Sequence, residues 1–282
     1  MAINTALAGK TYPTSTYEVT ADAIRTYAAA TNEDNPAFAG EQPVAPPAFP
    51  IVGVQSVLAV ALFDPELEVN LARLVHGEED HLLHAPIRPG DTLTIEGRLE
   101  SVETKESGET FTVYTKLTNQ EGVTAAELRS LLFVRGSGSR TKAAAEVEPE
   151  PEYVFTTAQT VDENQTYRYA EASGDYNPIH TDPEFARNAA GLPGIILHGM
   201  CTMAFASKAV LDAVAGGDPA RLRRIKVRFS KPVFPGETLT TRGWVEGSAG
   251  AVTTYGFETL NGRGSAVLRN GVAEVLGGSR GE

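Results

Sequence analysis

Residues 169–180 read Tyr-Ala-Glu-Ala-Ser-Gly-Asp-Tyr-Asn-Pro-Ile-His, and an echo stands far upstream, where residues 27–36 read Tyr-Ala-Ala-Ala-Thr-Asn-Glu-Asp-Asn-Pro. The two stretches lie 142 residues apart. Downstream, Pro86-Ile-Arg-Pro-Gly-Asp-Thr-Leu93 is matched by Pro232-Val-Phe-Pro-Gly-Glu-Thr-Leu239, now 146 residues apart. Pro47 with Pro193 and Gly53 with Gly199 already show the longer spacing. The second copy therefore carries four extra residues just after its Asn-Pro, in a loop, where insertions are tolerated. One repetition over this length means two duplicated domains rather than a stack of short repeats.

The boundary follows from composition. Residues 136–152, Gly-Ser-Gly-Ser-Arg-Thr-Lys-Ala-Ala-Ala-Glu-Val-Glu-Pro-Glu-Pro-Glu, have no apolar periodicity. They read as an exposed linker between a first domain, 1–135, and a second, 153–282.

Each copy has the same pattern. A short helix comes first. In the second copy Thr160 and Glu163 predict a capping box, with the helix running to about Ala172. After the Asn-Pro loop comes an apolar helix, about 199–215, closed by Gly216-Gly217 and predicted to be buried. Strands are expected near 222–230, 237–247, 250–260 and 264–276. The first copy repeats this, with a helix near 51–63 and strands near 91–104, 109–120 and 122–135. A buried helix followed by antiparallel strands implies a curved sheet wrapped round that helix, an α+β layout.

Bulk properties narrow the function. The 282 residues carry a net charge of −12, which argues against non-specific nucleic-acid binding. A single cysteine excludes an internal disulfide and fits a reducing compartment. The opening residues show no signal-peptide pattern, and no apolar run reaches the roughly 20 residues of a membrane span. A cytoplasmic protein without membrane contact is expected.

Asp175 and His180 are the candidate chemistry. They are five residues apart, and the Asn177-Pro178 turn between them can bring both side chains onto one water. Histidine exchanges protons at neutral pH, and a neighbouring carboxylate can share the work. Taken alone, they also fit a turn cap and an ordinary loop histidine. His198-Gly199 opens the buried helix, where free N–H groups can hold a developing oxyanion. Gly199 is equally explained by tight packing, since Gly53 occupies the matching place. His198, matched by Val52, reads as a structural or supporting histidine. Cys201 in the same turn is either an activated thiol or, as its apolar neighbours favour, a small packed side chain. The alternating strand around Arg224, Lys226 and Arg228 offers positive charge for the phosphates of a CoA-type ligand, or is a solvated strand face.

The first copy keeps Asn35-Pro36, but Glu33 and Phe38 stand where Asp175 and His180 are. Phenylalanine transfers no proton, so this copy is expected to be non-catalytic. His76, His81 and His84, with Glu78, Glu79 and Asp80, have a spacing that argues against a metal site in a loop-to-strand segment. No metal and no separate cofactor are expected. Phosphate-binding glycine loops, dinucleotide fingerprints and nucleophile elbows are absent from the sequence.

The stretch from Tyr169 to Ala186, with Asp175, Asn177, Pro178, His180, Asp182, Pro183 and Phe185, resembles the signature of the MaoC-like (R)-specific enoyl-CoA hydratases. His198-Gly199-Met200 and Pro232-x-x-Pro235-Gly236-Glu237 fit the same family. Over its whole length the chain resembles the double-hotdog 3-hydroxyacyl-thioester dehydratases. The resemblance implies two fused hotdog folds with one active site, the first domain shaping an acyl pocket. It implies reversible hydration of a trans-2-enoyl thioester, borne by CoA or a carrier protein, to the (R)-3-hydroxyacyl thioester. Asp175 and His180 carry over as catalytic, Asn177 as a substrate-side residue and Gly199 as the oxyanion N–H. Which of the pair is the formal base stays open, and pairing into a homodimer is a further expectation. The alternatives are a hotdog thioesterase and a non-catalytic acyl-thioester-binding subunit.

Overall fold

The computed structural model describes residues 3–105, 107–136 and 150–277. The core of the expected linker, 137–149, lies outside the described residues.

In chain order the first half contains β1 (Ser15–Glu18), α1 (Ala21–Ala30), α2 (Pro50–Leu62), β2 (Leu74–Leu83), β3 (Thr92–Lys105), β4 (Gly108–Thr118) and β5 (Thr124–Arg135). The second contains β6 (Phe155–Thr160), α3 (Gln165–Ser173), α4 (Pro178–Thr181), α5 (Pro183–Asn188), α6 (Gly199–Val214), β7 (Leu222–Phe229), β8 (Thr238–Ala249), β9 (Val252–Asn261) and β10 (Ala266–Leu276). The extra residues of the second copy accompany α5, which has no counterpart between Phe38 and α2.

The ten strands among the described residues form one sheet in the order β1-β3-β4-β5-β2-β7-β10-β9-β8-β6, antiparallel throughout. The right half of that order is the left half reversed, repeat mate for repeat mate. A pseudo-twofold axis therefore passes between β2 and β7. It runs through the pair Asp80↔Lys226, which are 146 residues apart and face each other in the ladder. A second pair of mates also meets on it: the Tyr27 and Tyr169 rings pack edge to face with centroids 5.7 Å apart. The expected α+β architecture of two fused hotdogs is thus present as a continuous sheet with a long helix in each half.

The long helix α6 is buried from Met200 to Ser207 and again at Ala209, Val210 and Leu211. Its lining of Ala, Ser and Met allows β-strand side chains to approach on several sides at once. Helix α2 is less enclosed, with Val60 and Phe63 exposed. No helix among the described residues is long and apolar enough to cross a membrane.

Two local expectations are corrected. Thr160 does not cap a helix; it ends β6, paired with Thr238, and the turn is instead tied by the Asp162 N–H donating to Gln165 Oε1 at 3.1 Å. The segment holding His76 and His81 is not loop leading into strand but the central strand β2, with a bulge between His76 and Glu78.

Candidate active site

The Asp175–His180 loop is assembled by short-range hydrogen bonds that its sequence dictates. Helix α3 ends at Ser173, and Gly174 takes the left-handed conformation (φ 76°) that turns the chain out of the helix. Ser173 Oγ donates to the Tyr169 carbonyl and accepts from the Asp175 N–H. Asp175 Oδ1 accepts from the Asn177 N–H at 3.1 Å, and Asn177 Oδ1 caps α4 through the Ile179 N–H. Pro178, with no N–H to satisfy, starts the helical turn that carries His180 inward.

His180 is buried, and its Nδ1 lies 2.8 Å from the Ile196 carbonyl oxygen. A carbonyl only accepts, so Nδ1 carries the hydrogen and Nε2 presents a lone pair. Burial lowers the His180 pKa below its ordinary value, against the opposing pull of Asp175. Burial therefore favours the neutral imidazole of His180.

His198 is placed more centrally than its sequence context indicated. Its Nε2 donates to the Asp175 backbone carbonyl at 2.9 Å, and its ring stacks on His180 with centroids 3.8 Å apart and planes 27° from parallel. Burial, and then the adjacent His180, depress its pKa to about 4. His198 Nδ1 is buried without a hydrogen-bond partner among the described residues. One histidine thus fixes the Asp175 backbone and the His180 ring together. Donor atoms of Asp175, His180 and His198 all lie within 4.8 Å of one another, a gap that one water can bridge. They also form a set that could ligate a cation.

Gly199 is the first residue of α6, so its N–H has no intrahelical acceptor. A side chain there would meet the Phe229 ring at 3.1 Å, so packing also favours glycine. Asn177 is exposed, with its Oδ1 committed to the cap. Cys201 is fully buried, and burial pushes its thiol pKa up, so it is a packed side chain.

The remaining candidates are engaged elsewhere. Arg224 grips Asp80 with two nitrogens at 2.9 and 2.7 Å and also meets Glu274. Lys226 and Arg228 both approach Glu78, at 3.3 and 3.8 Å. Fully buried Glu79 lies between His76 Nε2 at 2.8 Å and His81 Nε2 at 3.0 Å. Burial opposes its ionisation, but the two histidines outweigh that and draw its carboxyl pKa down to about 2. His84 turns away to Glu127. The His76 ring packs 4.7 Å from Phe229, so the first half reaches the shell around Gly199.

In the first half the same turn is present without the chemistry. Glu33 Oε1 accepts from the Asn35 N–H, and Asn35 caps the turn at Ala37. Glu33 is tied to Lys208 of α6, which also binds Asp34 and Asp212, and Phe38 is fully buried.

The chain matches the MaoC like domain over residues 144–262 and the FAS1-like dehydratase domain region over residues 6–128. It is 34% identical over 220 residues to the 3-hydroxyacyl-thioester dehydratase Y of Mycobacterium tuberculosis, covering 74% of this chain and 75% of that one. It is 34% identical over 236 residues to the mouse peroxisomal multifunctional enzyme type 2, covering 80% of this chain but only 31% of that longer protein. A crystal structure of a MaoC-like dehydratase from Phytophthora capsici superposes with a TM-score of 0.80 at 29% identity, covering 98% of each chain. With two fused copies of one fold, the Asp175–His180 pair and these relatives, the chain belongs to the MaoC-like enoyl-CoA hydratase 2 family.

Proposed function

We propose that this protein adds water reversibly to a trans-2-enoyl thioester, borne by CoA or a carrier protein, giving the (R)-3-hydroxyacyl thioester. The observation that carries this reading is His180, held by Ile196 through Nδ1 so that Nε2 faces the Asp175 carboxylate, with the N–H at the start of α6 unpaired among the described residues. Water sits between Asp175 and His180. Its oxygen bonds to Cβ as the Cα–Cβ double bond opens, and His180 Nε2 takes one of its protons. The electron pair moves through Cα to the thioester oxygen, where the Gly199 N–H stabilises the enolate. A proton returned from the same site to Cα completes the addition. His198 holds the pair in register, and Asn177 flanks the substrate side.

The acyl group is assigned to the first half, which approaches the site through His76. Arg228 has the longest ion-pair contact of the basic strip, 3.8 Å, and is the member best able to exchange its partner for a phosphate.

Incubation with crotonyl-CoA tests the reading. The expected result is loss of the enoyl-thioester absorbance, with (R)-3-hydroxybutyryl-CoA as product on chiral analysis. Release of free CoA without a hydroxyacyl product would show a thioesterase instead.

A further inference from the structure

One cavity lies away from the Asp175–His180 pair. A pocket of about 250 Å³ opens at the opposite end of β2 and β7. Its walls include Ala37, Pro50, Leu83 and Leu222. Each is the repeat mate of a residue at or beside the catalytic cluster: Ile179, Ile196, Phe229 and His76. The pocket is therefore the pseudo-twofold image of the reaction site. Leu83 and His76 are seven residues apart on one strand, which separates the two places by roughly 23 Å.

The image has kept its cleft and lost its reactive groups. Phe38 replaces His180, Val52 replaces His198, and Glu33 is held by Lys208. The four residues missing from this copy leave the pocket without the α5 segment. Its lining is mostly Pro and Ala with Ile87, Leu83 and Leu222, and its charged or titratable members are the exposed His84, Arg88 and Asp218 and the half-buried Arg223. Two arginines against one aspartate leave this apolar slot net positive in a chain of net charge −12. The volume suits the thioester end of a ligand, near the low end of small-molecule pockets at about 300 Å³.

We propose that this pocket is a second, non-reacting acyl-CoA site. The acyl and thioester end occupies the apolar slot, and the phosphates meet Arg88 and Arg223 at its mouth. An acyl-CoA bound there is not hydrated, because Phe38, Val52 and the Lys208-held Glu33 stand in the places of His180, His198 and Asp175. This rests on the proposed thioester chemistry of the second half, but it is read by binding rather than turnover.

The test titrates the full chain with butyryl-CoA, which is saturated and cannot be hydrated, in a calorimeter. The expected result is two molecules bound per chain. Ala220→Trp, at the exposed edge of the pocket, should abolish one of them. Arg223→Glu should weaken the same one by about fivefold or more. Crotonyl-CoA hydration at the other site should stay within about twofold of wild type in both variants, less than half the tenfold worth about 1.4 kcal/mol. One molecule per wild-type chain, or two undiminished in both variants, would overturn the proposal. If wild type fails to hydrate crotonyl-CoA yet binds two butyryl-CoA molecules, the catalytic reading falls and the second site stands.

Discussion

The loops 31–38 and 173–180 are one backbone device used twice. In each, an acidic side chain accepts from an N–H two residues on, and the asparagine there caps a short turn begun by proline. The differences lie in what faces the turn. Asp175 meets two stacked histidines, whereas Glu33 meets Lys208, and a buried phenylalanine fills the place of His180. The turn is thus separable from the groups proposed for proton transfer: it is kept in the first half, where they are replaced.

The strongest way to break this comparison is to remove the groups that differ. Asp175→Asn or His180→Ala should lower crotonyl-CoA turnover by about 10²–10⁴, the usual worth of a general acid or base. Glu33→Gln should leave the chemical rate alone. A comparable loss in single-turnover rate for Glu33→Gln, in folded protein, would show that both loops take part.

The paired glycines sharpen it further. Gly199→Ala sets a Cβ 3.1 Å from the Phe229 ring at the proposed oxyanion N–H, whereas Gly53→Ala meets Ile95 Cδ1 at 3.3 Å in the half without the Asp–His pair. Both should lose about 1–3 kcal/mol of stability by overpacking. Gly199→Ala should also lose about tenfold in kcat/KM, equivalent to about 1.4 kcal/mol in the transition state. Equal kinetics for the two variants would make Gly199 a packing residue alone.

Titration distinguishes the halves next. The folded His198 pKa is depressed to about 4, so the unfolded chain binds its proton at higher pH. Its contribution to stability is complete above the ordinary histidine value of about 6.5 and is lost as pH falls toward 4. Denaturant melts at pH 7 and pH 5 should differ through this residue by up to about 2 kcal/mol. His198→Phe should flatten that dependence, since its mate Val52 has nothing to titrate. The acid limb of kcat/KM should lie below about pH 6.5, because burial lowers the His180 pKa. A limb above 6.5 would contradict a neutral, buried base.

The smallest effect is expected at Lys208. Lys208→Met leaves Glu33 buried without its cation and should cost about 1–2 kcal/mol in a melt while leaving hydration unchanged. A fall in turnover at unchanged stability would link the first loop to the reaction.

Much of this was legible because the chain carries its own control. The repeat isolated Asp175 and His180 as the residues that vary on a shared turn. The long strands β3, β4, β5 and β7–β10 announced themselves by alternation. Strand β2 did not: Leu74-Val-His-Gly-Glu-Glu-Asp-His-Leu-Leu83 is charged, and the bulge after His76 breaks its period. It is held as a strand by neighbours on both edges. The short outer strands β1 and β6 offer too few residues for a pattern, and β6 draws Thr160 away from its expected cap. The histidine stack was hidden for another reason. It depends on residues 181–197 folding back to bring the Ile196 carbonyl to His180, which no local pattern encodes.

The seam between β2 and β7 has a consequence for assembly. Glu78 and Asp80 lie on one strand, Arg224, Lys226 and Arg228 on the other, and they interlock by opposite sign. If two first halves met along β2 in the same register, Asp80 would face Asp80. If two second halves met along β7, Lys226 would face Lys226. The seam therefore acts as a polarised key. Along this edge each half disfavours a copy of itself and favours its mate.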